Sequence, residues 1–201
     1  MEIFTLLLLL ATGFYTVKFR DQKRRIGVLG KVLGKYQIEK MMETLAQGYH
    51  RALSEPEPSR QSQILALQHA TEQALSEQFS RFAADFSSVA VLDARVSNIG
   101  FAVPYADKIF PGTTFDLRQA FSIHAQGLAL ATDNALGLSP KSRAFQISAE
   151  LFLMQHTCHW FCRSKTVASN RLLARHKTSY TQLVEAVLPQ TRMAYSALIK
   201  H

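Results

Sequence analysis

The chain opens with fifteen consecutive residues, Ile3 to Val17, that carry no charge. A membrane-spanning helix needs about 20 apolar residues, with a lower limit near 17. Lys18 and Arg20 extend a short span, because their aliphatic stems lie along the apolar boundary while their charges reach water. The run therefore predicts a single transmembrane anchor over residues 1–19.

The residues that flank this run decide between three interpretations. A secretory signal peptide carries positive charge before its apolar run and a small-residue cleavage site after it. Here Glu2 precedes the run and VKFRDQKRR follows it, which is the wrong order. A buried helix of a soluble core remains the alternative, because the run is short. Since positive charge stays on the cytoplasmic side, we predict the N-terminus outside and residues 18–201 in the cytoplasm.

A basic segment follows the predicted anchor. Residues 18–35 hold seven Lys or Arg and one Asp, in a chain whose net charge is +8. Residues 20–54 contain no proline and predict one long juxtamembrane helix. We expect its basic residues to face anionic lipid, where each adds about 1 kcal/mol of attraction; alternatively they only set the topology. These residues are Lys18, Arg20, Lys23, Arg24, Arg25, Lys31 and Lys35.

The sequence SEPEPSR ends this stalk, because two prolines in seven residues cannot continue a helix. We predict a linker at 55–60 and a cytoplasmic helical domain over 61–201. The predicted fold class is all-α: a transmembrane helix and a basic stalk helix, followed by a bundle of about four to five helices. The Val-rich run at 88–96 is interpreted as a helix end or an extended segment, since no partner strand is evident.

Local signals predict the later helix boundaries. Thr113 and Asp116 resemble a capping box at the start of a helix that runs to about residue 135. Gly137 is expected to end that helix, and Ser139–Pro140 to begin the next one as N-cap and first turn. A last helix begins near residue 179 and is expected to be interrupted at Pro189.

Residues 97–113 form the one long predicted loop, and its interior is apolar. A loop of this length packs onto the domain, and loops are also where binding surfaces concentrate. We therefore predict a partner-binding surface formed by Phe101, Tyr105, Ile109 and Phe110.

The stretch HTCHWFC, residues 156–162, holds both cysteines and two of the seven histidines. At about 100° per residue, His156 and Cys158 lie on nearly opposite faces of a helix, so one ion cannot collect all four side chains. Cys158, His159 and Cys162 remain as metal candidates, although no second cysteine pair completes a zinc site. We favour a core helix packed on both sides, with free thiols in a reducing compartment.

The basic run RLLARHK, residues 171–177, offers Arg171, Arg175 and Lys177 to nucleic-acid or lipid phosphate. It has no interleaved aromatic residue and no nucleic-acid-binding motif. A solvated face, or pairing with the acidic middle of the chain, is the favoured interpretation.

No nucleotide-binding, metalloprotease or hydrolase motif occurs in the chain. We therefore expect a non-enzymatic interaction protein, an adaptor or an accessory subunit of a membrane complex, with no cofactor. Its expected partners are the membrane and another membrane or membrane-associated protein. The alternatives are a metal- or haem-binding helical sensor that uses Cys158, Cys162 and a histidine, and a membrane-tethered nucleic-acid binder.

Overall fold

Helix α1 extends from Glu2 to Leu33 without a break, in a computed structural model that describes residues 2–200. Met1 and His201, at the ends of the predicted anchor and domain, lie outside the described residues. Residues 2–17 are exposed throughout, whereas Asp21 and Leu29 farther along are buried. Of the described helices, α1 alone is long and apolar enough to cross a membrane, judged by length and composition. The first half of α1 is therefore apolar and exposed, and its second half packs into the rest of the protein.

The predicted single helix over 20–54 is two helices in the structure. Helix α1 ends at Leu33, and α2 runs from Ile38 to Leu53. Between them the Lys35 N–H donates to the Val32 carbonyl at 3.2 Å, which makes a tight turn. Gly34 favours this break, because glycine weakens a helix by about 1 kcal/mol relative to alanine. The turn brings Ile38 into the core.

The predicted linker is shorter than 55–60, because helix α3 already begins at Pro58 and runs to Ala66. The Glu57 carboxylate caps this helix by accepting hydrogen bonds from the N–H groups of Ser59 and Arg60 at 3.0 and 2.9 Å. Proline suits the first helical turn, where its missing N–H costs nothing. Helix α4 follows from His69 to Phe86.

A small antiparallel pair of strands interrupts the helices. Strand β1, Arg95–Ser97, pairs with β2, Thr114–Asp116, with Val96 opposite Phe115. The Val-rich run thus ends in a strand, and its partner lies where a helix start was predicted. A 3₁₀ turn at Val91–Asp93 precedes β1. The connection between the strands contains the short helix α5, Ala106–Ile109, and a 3₁₀ turn at Pro111–Thr113.

Asp116, not Thr113, is the N-cap of helix α6, which runs from Leu117 to Asp133. Its carboxylate accepts a hydrogen bond from the Arg118 N–H at 2.9 Å. Helix α6 is terminated by Asn134, which follows its last residue Asp133, rather than by Gly137, because Asn134 takes the left-handed conformation with φ 51°. Asparagine tolerates this conformation better than most residues, so it replaces glycine at the helix end.

The boundaries at Ser139–Pro140 and Pro189 are confirmed. Helix α7 runs from Pro140 to Cys162, with the Ser139 hydroxyl accepting from the Ser142 N–H at 3.2 Å. Helices α8, Lys165–His176, α9, Tyr180–Ala186, and α10, Pro189–Lys200, follow. The mostly helical class is confirmed, but the described part of the domain holds more and shorter helices than the predicted four to five, since proline and short turns divide them.

Helix α7 lies at the centre and contacts α1, α2, α3, α6, α8 and α9. A cluster of phenylalanines from α4 and α6 packs beside it, with Phe82 and Phe121 rings 5.0 Å apart. Leu29 of α1 and Leu45 of α2 belong to this same core. The segment predicted as a separate stalk is therefore part of the helical body, because its apolar stripe is buried there.

Candidate functional site

An ion-pair network surrounds α1 at the point where its exposed apolar half ends. The Arg25 guanidinium bonds the Asp107 carboxylate at 2.6 Å and the Asp21 carboxylate at 3.2 Å. Arg24 bonds Asp21 at 3.2 Å and Asp93 at 3.1 Å. The Asp107–Arg25 contact joins α5 to α1 across 82 residues of chain. This network attaches the loop between β1 and β2 to the base of the apolar helix.

Two of the residues predicted to face lipid, Arg24 and Arg25, belong to this network instead. Arg25 is buried and Arg24 is largely covered, because both guanidinium groups point at buried carboxylates rather than at lipid. Lys35 forms an exposed ion pair with Asp85 at 3.2 Å. Arg20, Lys23 and Lys31 are exposed, and Lys18 is half-buried. The exposed members of the set remain available to anionic lipid.

Three of the four residues predicted to bind a partner are exposed beside this network. Phe101 is 70% exposed, Ile109 59% and Phe110 46%. The fourth residue, Tyr105, is only partly exposed. Arg24 lies 5.4 Å and the Lys108 ammonium 5.2 Å from its ring centroid. Its backbone adopts a φ of 52°. We call Phe101, Ile109 and Phe110 the loop surface.

Phe101, one residue of the loop surface, lies close to the end of the apolar half of α1. Phe101 and Lys18 line one small cavity of about 30 Å³, together with Asp21. The Tyr105 N–H also donates to the Asp21 carboxylate at 3.2 Å. Lys18 immediately follows the uncharged run, so an apolar surface and an apolar helix occur at the same level of the molecule.

Cys158, His159 and Cys162 line a second cavity, which has a volume of about 250 Å³. We call it the apolar cleft. Its walls come from α1, α2 and α7, and Phe79 and Phe82 of α4 contribute to its lining. His156 faces a different part of the protein, where its Nε2 lies 3.1 Å from the Ser169 hydroxyl and its ring stacks on Tyr180.

Burial keeps both cleft thiols in their protonated form. Burial raises the pKa of Cys162 to about 11 and raises the pKa of Cys158 further. Metal ligation and nucleophilic attack both use the thiolate, which these environments disfavour. Within residues 2–200, no group of three or more His, Cys, Asp and Glu side chains is arranged to hold a metal ion. The metal- or haem-sensor alternative stays a prediction.

Buried polar side chains between α6, α7 and α10 were not expected from the sequence. His124 Nε2 lies 2.9 Å from the Thr157 hydroxyl, which lies 3.0 Å from the Tyr195 hydroxyl. Burial lowers the pKa of His124 to about 3, so it is neutral at physiological pH. Glu150 is also buried, and its carboxylate accepts the Leu188 N–H at 2.9 Å. This cluster fixes the packing of three helices.

The basic residues near the end of α8 that were candidates for phosphate binding are exposed. Arg171, Arg175 and Lys177 are all exposed, and Arg171 Nη1 lies 3.2 Å from His159 Nδ1. Neither arginine forms an ion pair with a carboxylate within residues 2–200. Within the described residues, neither position therefore forms the pairing with the acidic middle of the chain.

The sequence interpretation missed the acidic half of the ion-pair network. Asp21 and Arg25 are four residues apart on one helix, which is a readable spacing for an ion pair. Asp107 gave no comparable signal, since its partner is far away in the chain.

Comparisons with protein-family models, with curated proteins and with solved structures find no match for this chain.

Proposed function

We propose that this protein is a membrane-anchored helical interaction protein, an adaptor or accessory subunit of a membrane complex, and that it is not an enzyme. The observation that carries the proposal is α1. Its first half is apolar and exposed along its whole length, and its second half is packed into the core of the body. Exposing so many apolar side chains to water is unfavourable, at about 25 cal/mol per Å² of apolar surface. A lipid bilayer is the environment that relieves this cost.

The orientation belongs to the same proposal. Arg20 and Lys23 follow the apolar half and are exposed, and Glu2 precedes it. The body is then cytoplasmic and the N-terminus lies outside. The protonated thiols of Cys158 and Cys162 are compatible with a reducing compartment.

The loop surface is the proposed contact for a protein partner. It is apolar and exposed, and the buried Arg25–Asp107 pair holds it against α1. Because Phe101 lies beside the end of the apolar half, a partner that reaches it is at the membrane surface. We propose a membrane or membrane-associated protein.

Affinity purification of the tagged full-length protein from its native membranes tests this proposal. We expect a stoichiometric membrane protein to co-purify, and the double variant Phe101→Ser, Phe110→Ser to reduce its yield at least tenfold without loss of helix content. Leu136→Ser is the control, because Leu136 is an exposed apolar residue in the connection before α7. Leu136 lies at the far end of α7 from the loop. Trp160, which contacts strand β1 beside the loop, is about 30 Å along α7 from Pro140. An unchanged yield in the double variant would remove the loop surface from the proposal.

A further inference from the structure

The apolar cleft has no role in the proposed function, yet it has the properties of a binding site for a small molecule. Ligand sites are concave, mostly apolar and carry a few polar groups that orient the ligand. The cleft has a volume of about 250 Å³ and is lined by residues of α1, α2, α4 and α7. Typical sites for drug-sized molecules begin near about 300 Å³. The cleft is therefore suited to one slender chain rather than to a bulky or two-chained molecule.

The lining of the cleft is mostly apolar and includes the branched side chains of Ile26, Leu29, Leu33 and Ile38. Phe79, Phe82 and Met154 contribute to the lining, and Met42 lies on the α2 side. The two cysteines add to the apolar surface rather than to its polarity, because burial raises the pKa of both thiols and keeps them uncharged. The methionines adapt to a flexible hydrocarbon chain, because an unbranched thioether fills irregular gaps.

A basic recess adjoins the cleft at one end. Gln155 and His159 line both the cleft and a smaller cavity whose other walls include Arg171 and Arg175. Arg171 contacts His159 at 3.2 Å and has no carboxylate partner in the described part of the chain. Glu39 lines the cleft from α2 and repels an anion on that side. An anionic head group is therefore directed to the recess at Arg171.

We infer that the apolar cleft binds a single-chain anionic amphiphile, such as a fatty acid, with its hydrocarbon chain between α1 and α7 and its carboxylate at Arg171. The inference does not depend on the partner-binding role of the loop surface. The position of the cleft favours a free fatty acid over a bilayer phospholipid. Leu29 and Leu33 lie ten and fourteen residues beyond Phe19, which is about 15–21 Å along the helix. A bilayer lipid would have to leave the membrane to reach them.

Photo-crosslinking of the full-length protein in phosphatidylcholine nanodiscs tests the inference, because nanodiscs avoid detergent, itself a competing amphiphile. One arm uses a diazirine-bearing fatty acid, and the other uses a phosphatidylglycerol with the same diazirine chain. Mass spectrometry locates the crosslinks. We expect the fatty acid to label residues 154–162 in a manner competed by oleate, and the phospholipid to label only the apolar half of α1. Labelling of 154–162 by the phospholipid alone, or by neither probe, would overturn the inference.

Two variants make the test specific to the cleft. Gly30 lines the cleft and an added Cβ meets nothing within 4 Å, so Gly30→Leu fills the cleft while improving helix propensity. We expect it to abolish competed labelling of 154–162. Gly27→Leu is the matched control, since Gly27 is equally open but does not line the cleft. Arg171→Gln is expected to weaken oleate competition about tenfold, the size of one charge-assisted contact. Full labelling in Gly30→Leu would contradict the assignment.

Discussion

Glu150 shows how one buried residue is tolerated inside this core. It is 1% exposed, and its Oε1 accepts the Leu188 N–H at 2.9 Å. Its other oxygen lies against Gly127, together with the Thr191 hydroxyl. Burial is the main cause that raises the pKa of Glu150, from 4.5 to about 7. Below about pH 7 the side chain is thus accommodated in its protonated form, and its ionisation is linked to the stability of the fold.

The sign of this linkage gives a pH prediction. The unfolded chain releases the Glu150 proton near pH 4.5, whereas the folded chain retains it to about pH 7. The stabilising contribution is complete below pH 4.5 and is lost as the pH rises through about 7. We expect Glu150→Gln to remove this loss and to raise the free energy of unfolding above pH 7 by about 3 kcal/mol relative to wild type. Thermal unfolding in nanodiscs between pH 4 and 8 measures it.

Glu185→Gln is the control for that measurement, because Glu185 is exposed on α9. A difference between Glu150→Gln and wild type that does not change with pH would contradict the linkage.

Gly127 is required by its close contacts rather than by its backbone conformation. A Cβ there would lie 2.3 Å from the Thr191 hydroxyl and 2.6 Å from the Glu150 carboxylate. We expect Gly127→Ala to destabilise the fold by about 1–3 kcal/mol through overpacking. Gly30→Ala should instead stabilise it by about 1 kcal/mol, since its Cβ is unobstructed. The melting temperatures of the two variants should therefore move in opposite directions, and equal shifts would argue against this packing.

At the scale of elements, local chemistry could be read from the sequence and distant contacts could not. Ser139–Pro140 and Pro189 mark helix starts because capping and the missing proline N–H act within a few residues. The β1–β2 pair has only three residues per strand, which is too short for an alternating apolar pattern to be recognised in the sequence. The turn at 34–37 allows α2 to pack against the core, and that core is formed by residues far along the chain. Long-range packing decides such elements.

The attachment of the loop to α1 is testable at this scale. Asp107 is buried and pairs with the buried Arg25 at 2.6 Å. Asp107→Asn leaves that guanidinium short of one carboxylate, and removing one partner of a buried pair costs about 3 kcal/mol. We expect lower stability and faster amide hydrogen exchange across residues 98–110.

Asp93→Asn provides the comparison, because the Asp93 side chain is 44% exposed in its pair with Arg24. Its effect should stay below about 1 kcal/mol. Similar hydrogen exchange in the two variants would show that the Asp107–Arg25 pair does not hold the loop.

At the scale of the whole molecule, α1 connects the helical body directly to the proposed membrane span. The helix is continuous from Glu2 to Leu33, so no flexible linker separates the apolar half from the core. The exposed loop surface and the apolar cleft consequently keep fixed distances from the end of the apolar run. The sequence predicted the apolar run and the exposed loop aromatics. It did not predict this rigid connection, because the burial of Leu29 and Arg25 depends on helices far along the chain.

Thiol accessibility in intact cells tests the central claim, that α1 crosses a membrane with the body in the cytoplasm. Burial raises the pKa of both native thiols, so introduced cysteines react preferentially with a membrane-impermeant maleimide. Glu2→Cys should be labelled in intact cells, and Leu136→Cys only after permeabilisation. Labelling of Leu136→Cys from outside, or release of the protein from membranes by an alkaline wash, would contradict the account.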